Sequence, residues 1–233
     1  MSTVDRNPVI LLHGLAGSAK TTWQSNGWLD LLSEGGRTAI AIDLLGHGTA
    51  PKPHDTDGYS DFEGYALAQA PQGQLDGIGF SLGARTLLYL AASNPGRFGR
   101  LVVSGVGSNL FSTDDSRHRS IAEALAGNAS PDDPVAQYFE GLTREPDVDA
   151  DALLAMLTTL SDGNRLTPEM IASIDIPVLV ALGDRDFAGP ADPLLEALPQ
   201  AEFVSLGNTD HFATPKSFDF IDAALGFFDA QPF

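Results

Sequence analysis

The chain contains no cysteine, which removes disulfides, thiolate metal sites and a thiol nucleophile at once. Any covalent chemistry then falls to a serine or a carboxylate. No apolar run approaches the roughly 18 residues that a bilayer span requires, and residues 1–8 lack the apolar core of a secretory signal. The expectation is a cytoplasmic protein. Lysine is scarce as well: Lys20, Lys52 and Lys216 stand against an excess of aspartate, and the formal net charge is −18. Such a field repels nucleic acid and anionic lipid, so neither is an expected partner. A solvated acidic surface accounts for this charge more simply than selection of cationic substrates.

What is present points to a folded globular chain. Its 233 residues are 43% hydrophobic and 19% charged, enough apolar material for one large α/β domain. Near-continuous apolar runs at 9–12, 38–42, 75–79, 101–104, 177–182 and 202–206 read as strands covered on both faces. Between them, residues 23–32, 61–70, 82–92, 192–198 and 217–228 read as helices, the last with Phe218, Ile221, Leu225 and Phe228 at helical spacing. Alternation of this kind predicts a mostly parallel sheet flanked by helices. The rhythm breaks at 109–174, where apolar segments are separated by Asp/Pro/Gly clusters. A structureless loop of that length is improbable inside a domain, so this stretch is expected to be a helical insertion. The expected division is a core of 1–108 with 175–233, and the insertion 109–174 between them.

Gly79-Phe80-Ser81-Leu82-Gly83 matches the G-x-S-x-G elbow, with a predicted strand leading in and a predicted helix leading out. A serine on such a turn projects its hydroxyl beyond the sheet, beside a helix N-terminus that favours developing negative charge. Ser81 is therefore the candidate nucleophile. A serine hydroxyl needs a base within hydrogen-bond reach. Of the five histidines, His211 lies between the last predicted strand and the last predicted helix, on the rim that carries Ser81. His13 and His47 sit beside glycines in turns, and His54 and His118 in polar stretches, so these four read as turn or surface residues.

The acid that orients the base should follow the fifth strand, where Asp184 and Asp186 both occur. Asp186 is preferred, because Asp184 stands closer to the strand end and can pair with Arg185 or cap the turn. An oxyanion needs two N–H donors, one from the residue after the nucleophile and one from the loop after the first strand; Leu82 and Leu15 occupy those places.

With Ser81, Asp186 and His211 in that order, and His13-Gly14-Leu15-Ala16-Gly17 ahead of them, the chain resembles the α/β-hydrolase superfamily over nearly its whole length. Asp43-Leu44-Leu45-Gly46-His47-Gly48 resembles the Asp-x-x-Gly-x-Gly loop common in that group. The resemblance implies a catalytic triad of Ser81, His211 and Asp186, a helical cap at 109–174 over the site, and hydrolysis of a small-molecule carboxylic ester through an acyl-enzyme, as in a carboxylesterase. No metal or organic cofactor is implied. With few residues ahead of the first strand, a trimmed sheet of about six parallel strands is expected. Serine at the elbow argues against the relatives that use an aspartate nucleophile. Thioesterase, lactonase, perhydrolase and C–C hydrolase chemistry share the same machinery and stay open, as does a slow-turnover ligand receptor on this scaffold.

One rival from another class is a nucleotide binder, since Gly14-Leu15-Ala16-Gly17-Ser18-Ala19-Lys20-Thr21 nearly matches G-x-x-x-x-G-K-[ST]. Ala19 replaces the glycine that lets backbone N–H groups close around a phosphate, and the match leaves Ser81, Asp186 and His211 unexplained.

Overall fold

Successive residues of a strand point to opposite faces, and β1 (Val9–Leu12) uses both. Ile10 and Leu12 enter one apolar cluster, whereas Val9 and Leu11 enter a second one with Trp23, Trp28 and Phe220. A strand apolar at every position thus needs a layer of helices on each side. The computed structural model, which describes residues 6–112, 114–162 and 166–231, supplies both layers.

β2 (Ala39–Ile42), β3 (Leu75–Phe80), β4 (Phe98–Ser104), β5 (Val178–Gly183) and β6 (Ala201–Leu206) complete a six-stranded sheet in the order β2-β1-β3-β4-β5-β6, with every neighbouring pair parallel. This is the α/β architecture that the apolar runs predict. β4 begins three residues before the expected start at 101. Phe98 is buried and pairs with Leu75, while a register shift between Leu75 and Gly77 hides the pairing from a simple apolar count.

The helices of the core are α1 (Trp28–Glu34), α2 (Phe62–Ala68), α3 (Leu82–Ser93), α8 (Asp192–Ala197) and α9 (Phe218–Phe227). The expected helix at 23–32 is not continuous. One wide turn over Ala19–Trp23 and a tight turn over Gln24–Asn26 precede α1, and Gly27 separates them at φ +77°. Between β4 and β5 run α4 (Ser116–Leu125), α5 (Pro134–Leu142), α6 (Ala150–Asp162) and α7 (Pro168–Ala172). α4 packs against α5 and α6, and α7 packs against α3 and α8. α5 starts cleanly because Asp133 accepts from the Val135 and Ala136 N–H groups and Pro134 occupies the first turn. No helix among the described residues is long and apolar enough to cross a membrane.

A buried polar cluster ties the far end of the sheet together. Arg37 donates through Nη2 to Asp76 Oδ2 at 2.5 Å and to the Asn7 carbonyl at 2.8 Å, and through Nη1 to the Phe228 carbonyl at 2.7 Å. It thereby joins the segments before β1, before β2, in β3 and after α9. The opposite, carboxyl end of the sheet is left free for loops. There, β1 and β3 are neighbours whose following segments leave in different directions, which opens a crevice at this point of the strand order.

Candidate active site

Ser81 stands at that crevice with φ +53° and ψ −112°, a conformation that costs a non-glycine residue of order 1–3 kcal/mol. Its surroundings hold it there. The Ser81 N–H donates to the Ser104 carbonyl at 2.8 Å, tying the turn to β4, and the Ser81 carbonyl accepts from Arg85 N–H at 3.0 Å to begin α3. The glycines of the pentapeptide are there for close approach. A Cβ on Gly83 would lie 2.0 Å from the Leu12 carbonyl oxygen, and one on Gly79 would lie 2.6 Å from the Ala84 Cα. Strand and helix can close to this distance only without side chains at those two positions.

The Nε2 atom of His211 lies 3.0 Å from Ser81 Oγ, although 130 residues separate the two. On the other side of the ring, Nδ1 lies 2.8 Å from Asp186 Oδ1 and 3.0 Å from Oδ2. A carboxylate only accepts, so Nδ1 carries the hydrogen and Nε2 presents its lone pair to the serine hydroxyl. Asp186 is held in turn by the Ala188 N–H at 2.8 Å, and its side chain is shut off from solvent. Phe80, Phe187 and Phe212 surround the imidazole with ring centroids 4.9, 4.2 and 5.5 Å away.

Asp184 lies outside this chain of contacts. Its Oδ1 accepts from the Thr209 N–H at 3.1 Å, and the neighbouring Arg185 Nη2 donates to Asn208 Oδ1 at 2.7 Å. Both residues brace the loop that carries His211. Leu15 and Leu82 flank the serine from the loop after β1 and the first turn of α3. Among the described residues, no loop or turn carbonyl accepts from either N–H. Leu82 is the first residue of α3, where an N–H has no intrahelical partner.

His13, His47 and His54 make their hydrogen bonds with groups other than Ser81. His13 is fully buried; its Nε2 accepts from Leu44 N–H at 3.1 Å, so Nδ1 is the donor to the Gly14 carbonyl at 2.8 Å. Burial pushes its pKa down to about 4. His47 packs on it with ring centroids 5.0 Å apart, and burial, with His13 beside it, lowers its pKa to about 3. Both are neutral supports for the loops after β1 and β2. His54 is exposed and meets Asp149 at 2.9 Å. His118, on α4, is exposed at the edge of a cavity described below.

The segment resembling a phosphate loop is already filled by the protein. Asp43 Oδ1 accepts from Ala19 N–H at 2.7 Å, while Oδ2 accepts from the Thr49 N–H and hydroxyl, each at 2.8 Å. Burial alone would raise the Asp43 pKa, but these donors outweigh it and hold the carboxyl below its ordinary value. An anionic carboxylate bonded to that backbone leaves no place for a phosphate.

Two cavities open beside Ser81. The first, of about 280 Å³, runs between the loop after β1 and the end of α5, where Leu142 and Val148 line it. The second, of about 390 Å³, runs between the start of α3 and the insertion, with Val106, Leu157 and Leu160 among its walls. The aromatic residues over the site, Tyr138, Phe139, Phe187 and Phe212, were not legible as site residues in the sequence. Phe187 and Phe212 directly follow Asp186 and His211, and that adjacency is the one signal available; nothing marks Tyr138 or Phe139.

Known proteins resemble this chain in sequence and in fold. A zebrafish (Danio rerio) protein named sn-1-specific diacylglycerol lipase ABHD11 is 33% identical over 121 residues, spanning 50% of this chain and 37% of that protein's length. A pimeloyl-[acyl-carrier protein] methyl ester esterase of Neisseria meningitidis is 28% identical over 171 residues, spanning 64% of this chain and 65% of that one. These curated relatives are thus matched over less than two thirds of their own length. In backbone, the crystal structure of NosK from Streptomyces actuosus superposes with a TM-score of 0.74 at 20% identity, covering 96% of this chain and 97% of that one. The model of the alpha/beta hydrolase fold family matches residues 7–163, more than half of the sequence and including the elbow at Ser81, and the chain belongs to that family.

Proposed function

We propose that the protein is a serine hydrolase that cleaves carboxylic esters through an acyl-enzyme, with Ser81 as nucleophile, His211 as base and Asp186 as the orienting acid. The observation that carries this reading is the unbroken hydrogen-bonded line from Ser81 Oγ through the His211 ring to Asp186, at 3.0 and 2.8 Å. Ser81 Oγ attacks the acyl carbonyl while Nε2 takes its proton, and Asp186 stabilises the imidazolium that forms. The carbonyl oxygen becomes an oxyanion beside the Leu15 and Leu82 N–H groups, in the field of the α3 N-terminus. Collapse of this intermediate expels the alcohol, which receives the proton from Nε2. Water, deprotonated by the same nitrogen, then attacks the acyl-enzyme, and Nε2 returns the proton to Ser81 Oγ as the acid is released.

The insertion 109–174 is the substrate-facing cap in this reading, because residues of α4, α5 and α6 line the two cavities that meet at Ser81. Ester rather than thioester or C–C cleavage is favoured by the names of the two sequence relatives, a lipase and a methyl ester esterase. The test is labelling with a fluorophosphonate together with turnover of p-nitrophenyl esters. Label and turnover are both expected, and both are expected to vanish in Ser81→Ala. Turnover that survives in Ser81→Ala overturns the assignment.

A further inference from the structure

Four residues line both cavities: Leu15, Ser81, His211 and Phe139. The first three belong to the core and to the proposed reaction. Phe139 alone comes from the insertion, on the face of α5 turned towards the site. The residue is 4% exposed, and its ring sits edge-to-face on Phe212, with centroids 5.8 Å apart and planes at 74°. Phe212 is itself stacked under Tyr138 at 3.7 Å and 22°. Neighbouring α5 residues thus grip the residue after His211 from two directions, and the Phe139 ring is held in one orientation by that packing.

We propose that Phe139 is the partition that divides the space over Ser81 into two arms, and that it sets the substrate class: two-armed esters, unbranched next to the scissile carbonyl, with one apolar arm on each side of the ring. The proposal rests on the serine-hydrolase reading above. A carbonyl within reach of Ser81 Oγ has its two substituents under or beside a residue common to both cavities. A linear acyl chain leaves the carbonyl directly into one cavity and the alcohol leaves into the other. Branching at the carbon next to the carbonyl puts further atoms where the Phe139 ring stands. The walls beyond it are mostly apolar on both sides, with Leu142 and Val148 in one cavity and Val106, Leu157 and Leu160 in the other, which suits hydrocarbon arms; Glu145, Asp147 and Lys216 also line the first, and Asp114, Asp115 and Arg117 the second.

The experiment compares kcat/KM for linear and α-branched acyl p-nitrophenyl esters of equal carbon number, in the wild type and in Phe139→Ala, Phe139→Leu and Phe139→Trp. Rates are scaled to the fraction of each preparation that labels with fluorophosphonate, so that losses in folding cancel. The branched-to-linear ratio is expected to rise about 10-fold in Phe139→Leu and further in Phe139→Ala, and to fall in Phe139→Trp, as expected when a pocket gains or loses the volume of a few methylenes. Should Phe139→Ala fail to fold, the Leu and Trp variants carry the comparison with opposite expected signs. Variants that label but change both ester classes by the same factor overturn the partition while leaving the nucleophile in place. A wild type that neither labels nor turns over any ester overturns the serine-hydrolase reading, and the partition with it.

Discussion

Asp184 Oδ1 accepts a 3.1 Å hydrogen bond from the Thr209 N–H, two residues before His211, whereas Asp186, two positions along on the same loop, bonds the His211 ring itself. Two carboxylates on one turn therefore hold the same loop in different ways. One fixes its backbone and the other fixes the imidazole.

Their substitutions should separate accordingly. Asp186→Asn removes the acceptor that keeps Nδ1 protonated, and under the proposed mechanism kcat should fall by roughly 10⁴-fold, the loss seen when the acid of a known Ser-His-Asp triad is changed this way. Asp184→Asn keeps an acceptor for Thr209 N–H, and its effect should stay within about 10-fold, in line with loss of part of one hydrogen bond. Steady-state kinetics on one ester decides the matter. A greater loss in the Asp184 variant would show that the wrong carboxylate has been assigned to His211.

Acid should weaken the fold before most carboxylates titrate. His13 and His47 are buried and neutral, with pKa values pushed down to about 4 and about 3 from an ordinary 6.5. Above about pH 6.5 neither state binds the proton and these groups add no pH dependence. Below it, the unfolded chain takes up protons that the folded chain refuses. Stability should then drop by up to about 1.4 kcal/mol per pH unit for each histidine, until the folded values are reached. His54 works in the opposite sense, because its hydrogen bond to Asp149 raises its pKa, but it is fully exposed and solvent screens that pair. Urea unfolding between pH 7.5 and 5 should show stability falling with pH, and His47→Gln should flatten the slope. A stability that holds level or rises towards pH 5 would contradict this account.

The Arg37–Asp76 pair lies at the other end of the sheet, with both residues about 2% exposed. Removing one partner leaves a charge and several backbone carbonyls without their donors in a dry site. Arg37→Leu should cost about 3–5 kcal/mol of stability, the range for breaking a buried ion pair from one side. The guanidinium also bonds the Phe228 carbonyl, so the C-terminal helix α9 should lose protection first. Denaturant midpoints and amide hydrogen exchange over α9 measure both effects. A midpoint within experimental error of the wild type would mean that the pair adds nothing.

Much of this protein is fixed by local pattern. Strands apolar at every position, such as β1 and β5, demand cover on both faces, and that requirement alone yields a parallel sheet between helices. Ser81 is legible because its conformation needs glycines on both sides, and Gly79 and Gly83 leave that need written in the chain. His211 and Asp186 are legible because strand order puts the loops after β5 and β6 on the same rim as the elbow. The break at Gly27 and the early start of β4 escaped the pattern, since one rests on a single left-handed residue and the other on a register shift. What only the tertiary structure decided is the space above the serine. Tyr138 and Phe139 lie on an amphipathic helix like any other, and their role comes from packing on Phe212, a contact with no period and no fixed spacing in sequence. Periodicity and turn chemistry are properties of neighbouring residues and survive in the linear text. The shape of a cavity is a property of side chains that meet from distant segments, and it exists only once the chain has folded.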